Sequence, residues 1–238
     1  MSLFRGRRSR IDASSEPLVH DLDVAGSNPL LIAFTTNPSP SPEEVEVLTT
    51  RYAFAIPTDA ALLVIARRSP SGVVEVGAGT GYWASLLLEL GVDIVAYDTA
   101  PPGSSGNKWF HSSDAWYPVV EGDESVVERH ADRTLLLVWP TRDEVWAADA
   151  LRRFHGAGGQ TVAYVGEGVG GRTGDLSFHR LLGEVDQCLA CTYGVVDSAC
   201  VCGIDPLWQR METVALPHWP GQHDDLHLYQ ALRARVVL

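Results

Sequence analysis

Cations are scarce in this chain of 238 residues: 18 Lys and Arg stand against 30 Asp and Glu, for a formal net charge of −12. A surface that acidic repels phosphate backbones and argues against a nucleic-acid partner. The basic start Arg5-Gly6-Arg7-Arg8-Ser9-Arg10 is the local exception and reads as a terminal tail. Long apolar runs are also missing. None approaches the roughly 18 residues of a membrane span, and the first residues lack the apolar stretch and small-residue cleavage site of a secretory leader. The expectation is a soluble cytoplasmic protein with no membrane partner. Cysteines number only four. In a reducing compartment they suit metal or catalysis better than disulfides. Internal repeats and low-complexity tracts are absent. What remains is an ordinary globular balance, 45% hydrophobic and 20% charged, enough for one substantial domain with extensions or two small ones.

The opening 40 residues are mixed, and Gly26-Ser27-Asn28-Pro29 and Asn37-Pro38-Ser39-Pro40 read as loop. Residues 1–41 are expected to form an extension or lid ahead of a domain spanning 42–238. Ser41-Pro42-Glu43-Glu44 is a helix start, with Ser as cap, Pro at the first helical position and acids in the first turn. A second helix should run from Thr58 to about Arg68, stopping before Pro70. Strand and helix then alternate. Strands are expected at Val73–Val76, Val92–Tyr97, Tyr117–Val120, Thr134–Trp139 and Gln160–Val165. Helices are expected at Tyr82–Leu90, Glu124–His130, Ala147–Phe154 and Leu176–Val185. Glu212–Leu216 and Leu226–Tyr229 suggest a closing antiparallel pair. Near-continuous apolar strands between helices indicate an α/β fold, a parallel sheet covered on both faces.

The segment Val73-Val74-Glu75-Val76-Gly77-Ala78-Gly79-Thr80-Gly81-Tyr82 runs from a strand through three alternate glycines straight into a helix. Glycine turns tightly and lets a ligand approach the backbone. The helix start offers free N–H groups, and ligands bind in the crevice beyond the strand ends of such sheets. The dinucleotide spacing G-x-G-x-x-G is met from Gly79 only in its permissive form, with Ala84 as the third position. Tyr82 and Trp83 would crowd a pyrophosphate there. Glu75 would repel it but could anchor a cationic amine.

Glu75, Gly77, Gly79 and Gly81 together resemble motif I of the class I S-adenosylmethionine-dependent methyltransferases, with the likeness extending over about residues 52–238. The resemblance implies a Rossmann-like, doubly wound seven-stranded sheet and S-adenosylmethionine as cofactor. It further implies that the loop Gly77-Ala78-Gly79 lies under the cofactor, and that an acid ending the second strand holds the ribose hydroxyls. Asp98, 17 residues beyond Gly81, matches that acid. Asp123 matches an acid near the adenine, and Tyr52 an aromatic of the lid. Trp139, at the end of the fourth strand, is expected to border cofactor and acceptor. The implied activity is methyl transfer to a small-molecule acceptor. Alternatives are a protein- or tRNA-modifying enzyme, a non-catalytic cofactor-binding module and, more distantly, a dinucleotide oxidoreductase.

Alignment and desolvation do most of the work in methyl transfer, with a general base as an option. The glycine-rich stretch Gly166–Gly171 and the residues just beyond it nominate Glu167, Asp175 and His179 to orient or deprotonate the acceptor, with His111 and Asp114 as lesser candidates. The cysteines form two pairs, Cys188-x-x-Cys191 and Cys200-x-Cys202, eight residues apart. Four thiolates so spaced can wrap one tetrahedral ion, so an inserted structural zinc site over 188–202 is expected.

Overall fold

Ser41 and Thr58 start helices as their contexts predict. In the computed structural model, which describes residues 28–107, 109–110, 114–185, 203 and 205–232, Ser41 accepts the N–H of Glu44 while Glu44 reaches back to the Ser41 N–H, a complete capping box on α2 (Pro42–Arg51). Thr58 caps α3 (Asp59–Arg68) through Ala61 N–H. The segment before them is not all loop. Asn28 caps α1 (Pro29–Thr36), and its amide donates to Pro57 O at 2.9 Å while its carbonyl oxygen accepts from the Tyr82 hydroxyl at 2.8 Å. The Asn-Pro pair is a cap and first helical residue here, and the apolar Leu30-Leu31-Ile32-Ala33-Phe34 gives the helix a face to bury.

The strands run in chain order: β1 (Val73–Val76), β2 (Ile94–Asp98), β3 (Val119–Glu121), β4 (Thr134–Val138), β5 (Thr161–Gly166), β6 (Trp208–Ala215) and β7 (Asp225–Ala231). They form a single sheet ordered β3-β2-β1-β4-β5-β7-β6. Pairing is parallel from β3 to β5, and β7 enters antiparallel to both β5 and β6. The expected α/β sheet is present. α4 (Tyr82–Glu89) follows β1, a 3₁₀ helix (Glu124–His130) follows β3, α5 (Trp146–Gly156) follows β4, and α6 (Leu176–Leu181) follows β5.

Alternation along the strands divides the core between two faces. Leu136 and Ala163 point to one face with Ile56, Leu62, Ile65, Trp83 and Trp219. Leu135, Leu137 and Val162 point to the other, with Leu151, Phe154 and Phe178. Each fully buried Leu or Phe contributes roughly 1.5–3 kcal/mol of transfer free energy, and both faces are covered as a parallel sheet requires. No described helix is long and apolar enough to cross a membrane.

Chain order reverses between β1 and β4. β1 continues to β2 and β3 on one side, and β4 continues to β5 on the other. That switch point opens a crevice at the carboxyl ends of the strands. The β2 to β3 crossover holds no helix among its described residues. Near its end, Trp116 N–H donates to Thr80 O of the glycine turn at 2.8 Å.

Candidate functional site at the glycine turn

At the switch point, β1 ends in a turn whose Gly77, Gly79 and Gly81 have φ of +71°, +55° and +74°. A side chain at Gly79 would meet the Phe110 ring at 2.4 Å, and one at Gly81 would meet Tyr117 at 2.9 Å. Left-handed backbone and close approach thus both require glycine here. Gly81 is also the N-cap of α4 and makes no side-chain cap bond, which leaves the helix start to other partners. Ala78 N–H is held by Tyr97 O at 3.0 Å.

Asp98 ties β2 to this turn. Its carboxylate oxygens accept N–H groups from Gly79 and Ala100, each at 2.9 Å. Each oxygen keeps a further lone pair for a ligand hydroxyl. Burial raises the Asp98 pKa against the pull of those two bonds. Glu75 lies beneath the turn, 1% exposed, and its Oε2 has no hydrogen-bond partner. Burial pushes its carboxyl up to about 8, the charge of Asp98 adds to the rise, and the bond from Ala84 N–H opposes it. A buried acid with an orphaned oxygen, repelled by the half-buried Asp98, favours a ligand bearing positive charge. The glycine turn, the start of α4, Asp98 and Glu75 fit an amino-acid nucleoside such as S-adenosylmethionine.

Aromatic side chains cover the turn. Tyr52 is buried, stacked on Trp116 at 5.0 Å and edge-on to Tyr82 at 5.1 Å, and its carbonyl accepts from the Thr80 hydroxyl. It is a wall of the turn. Phe54 lies further out, stacked on Trp139 at 5.0 Å and 15° and touching Trp109 and Phe110. Phe54 belongs to the stretch 52–57 in which lid aromatics are expected, but sequence reasoning did not single out Trp109, Phe110, Trp116 or Trp146, whose ring lies against Gly77. The available signal was four aromatics between Trp109 and Tyr117 in a segment without strand or helix period.

Trp139 directly follows β4 with a positive φ of 52°. A bulky residue in that region is strained and over-determined by its surroundings. Its N–H donates to Val165 O at 2.8 Å, and its indole donates to Asp224 at 2.7 Å. Asp123, by contrast, is exposed and caps the 3₁₀ helix through Ser125. Its hydroxyl and N–H bonds from Ser125 hold its pKa below the usual range.

The three nominated acceptor residues are engaged in local structure. Glu167 is buried and accepts N–H bonds from Arg172 at 2.7 Å and His223 at 3.0 Å, fastening two loops. Asp175 caps α6 through Phe178 N–H at 2.8 Å. His179 is 3% exposed. Its Nε2 donates to Thr173 O at 2.9 Å, and its Nδ1 lies 2.8 Å from Glu184. Burial pushes Glu184 up, but bonds from His179 and Tyr229 outweigh it and hold the carboxyl below its ordinary value. Asp114 is exposed. His111 and the four cysteines Cys188, Cys191, Cys200 and Cys202 lie outside the described residues, and among those described no cluster of three His, Cys, Asp or Glu could hold a metal ion.

No family model matches the chain, and no curated protein matches it. Among solved structures, magnesium protoporphyrin IX methyltransferase from Synechocystis PCC 6803 with bound S-adenosylhomocysteine is similar at 8% identity and a TM-score of 0.46, over 90% of this chain and 99% of that one. The 1,6-didemethyltoxoflavin-N1-methyltransferase of Burkholderia thailandensis is similar at 15% identity and a TM-score of 0.41, over 94% and 99%. A Streptococcus agalactiae protein of the NADB-Rossmann superfamily is similar at 11% and 0.43, over 77% and 73%. The seven-stranded sheet and the switch-point glycine turn are those that the likeness to motif I implies. In fold, the chain resembles a class I methyltransferase.

Proposed function

We propose that the protein is an S-adenosylmethionine-dependent methyltransferase acting on a small-molecule acceptor. The observation that carries this is Glu75, a carboxylate buried under the glycine turn with an oxygen left unpartnered and Asp98 beside it. A dinucleotide pyrophosphate would meet two acids there, whereas an α-ammonium would let Glu75 release its proton and pair with it. Gly77, Ala78 and Gly79 would lie under the cofactor, Asp98 would accept from its ribose hydroxyls, and Glu75 would hold its amine. Tyr52 would support this floor from behind. Trp139 would close the side facing the acceptor, and Asp123 would act at the rim. The bound cofactor supplies an activated methyl group on a sulfonium sulfur. The chain's part is then to align the acceptor and exclude water, for which the rings of Phe54, Trp109, Phe110 and Trp139 are suited.

A second reading rests on Phe110, whose ring lies directly on Gly79. A cover that never moves aside would make the protein a non-catalytic interaction module. Calorimetric titration with S-adenosylhomocysteine, alongside NAD, separates the readings. Micromolar binding of S-adenosylhomocysteine, weakened about 10- to 100-fold in Asp98→Ala, is the expected outcome. Failure of the folded protein to bind it removes methyl transfer and leaves the interaction module. Binding of NAD alone assigns the turn to a dinucleotide.

A further inference from the structure

Beyond β4 and β5, away from Asp98, the loop 216–224 joining β6 to β7 folds over the same end of the sheet. Asp225, at the start of β7, pairs with Gly166 at the end of β5. That register sets Asp224 just past the carboxyl edge of the parallel strands, on the β5 side of the switch point. Three bonds fix the loop. His223 N–H donates to Glu167 at 3.0 Å, Trp219 Nε1 donates to Phe54 O at 3.0 Å, and Gln222 N–H donates to Trp219 O at 3.0 Å.

Asp224 itself is 1% exposed, with one oxygen accepting from Trp139 and the other, Oδ2, without a partner. Two residues earlier, Gln222 is 7% exposed and its side-chain carbonyl oxygen is unpartnered as well. A buried acceptor left without a donor costs roughly 1–3 kcal/mol, more when charged, so such groups persist where a ligand completes them. Glu167 offers the internal contrast, being equally buried at the same edge with both oxygens filled by backbone N–H groups. The strained Trp139 and its stack on Phe54 hold flat aromatic surface beside Asp224.

We infer that Asp224 is the residue that receives the methyl acceptor, binding an O–H or N–H of a planar aromatic acceptor through Oδ2 and taking its proton during transfer. This rests on the methyltransferase reading above. A lone pair of the acceptor atom forms the bond to the methyl carbon. The carbon–sulfur bond breaks with its electron pair remaining on sulfur, which becomes a neutral thioether. The proton of the O–H or N–H passes to the Asp224 carboxylate, so charge and atoms balance. Burial pushes that carboxyl up to about 7, against the pull of the Trp139 bond and helped by the charge of Glu167, which places it in the range of an effective base.

Phenol and anisole serve as probes, since both are flat but only phenol has a donor. Each is titrated into protein loaded with S-adenosylhomocysteine while the indole N–H resonance of Trp139 is followed, assigned with Trp139→Phe. Phenol is expected to shift that resonance and to bind about tenfold more weakly in Asp224→Ala and Asp224→Asn. Anisole should bind all three proteins alike. Asp224→Asn can still accept the indole bond, so its retained Trp139 resonance shows that the loop is intact. Phenol leaving the resonance unmoved, or phenol and anisole responding equally to the substitutions, would overturn the assignment. The titration is repeated without cofactor. Absence of S-adenosylhomocysteine binding then defeats the methyltransferase reading alone, and phenol still decides what Asp224 does.

Discussion

Glu75 is held where its charged form is unwelcome, and pH reveals it. Its folded-state pKa of about 8 lies above the ordinary 4.5, so the folded state keeps a proton that the unfolded state has released. Stability is therefore fully present below about pH 4.5 and falls as pH rises towards 8. Asp224, raised to about 7, works in the same direction. Denaturant melts of the wild type should lose a few kcal/mol between pH 5 and 8, with a flatter profile in Glu75→Gln. An equally steep profile would show Glu75 already ionised. Cofactor binding should also expel the Glu75 proton near pH 7. The calorimetric heat will then vary with the ionisation enthalpy of the buffer in wild type and not in Glu75→Gln. His179 makes the opposite case. Both its ring nitrogens are spoken for inside the protein, so His179→Ala should cost roughly 3 kcal/mol of stability and strand Glu184. S-adenosylhomocysteine affinity at a temperature well below the melt should not change. A variant as stable as wild type would make His179 an acceptor-side candidate again.

At the level of elements, the decisive unit is β1, the glycine turn and α4, with Phe110 and Trp116 of the following crossover lying on it. Parallel strands need a crossover of a dozen or more residues, usually helical. Here the described part of that connection carries rings instead. Trp116 stacks on Tyr52, and Phe110 rests on Gly79. Adding one methyl group at Gly79 asks the turn for a side chain at φ +55° and presses it into Phe110. Gly79→Ala should lose about 1–3 kcal/mol together with cofactor binding. The same change at Gly91, also left-handed but with open space around it, should cost less and spare binding. Urea midpoints of the two variants check the comparison.

For the molecule as a whole, binding at a switch point couples cofactor to global stability, because β1, β2 and β4 all meet there. A ligand held only by the folded state at a hundred times its Kd adds about 2.7 kcal/mol. For a chain of 238 residues that is a rise of roughly 5–10 °C in Tm. S-adenosylhomocysteine should produce it in a melting scan, and an unmoved Tm at saturating ligand would count against the site. The sequence by itself determined the order of the strands and of the helices from Ser41 onward, the cap at Ser41 and the glycine turn, while Asp98 came from the likeness to motif I. Those signals are local: periodicity, capping and turn chemistry act within a few residues. It misread Asn28-Pro29, where a turn signature doubles as a helix start, because the apolar face of α1 acquires its meaning from Tyr82, 54 residues away. Only the tertiary structure decided which polar groups are satisfied. His179 and Glu167 carry the chemistry of catalysis but have their bonds filled by neighbours in the fold. Asp224 sits in an ordinary hairpin loop, yet burial beside Trp139, 85 positions earlier, leaves one of its oxygens without a partner. Hydrogen-bond satisfaction is a property of contacts between distant segments, and no local pattern encodes it.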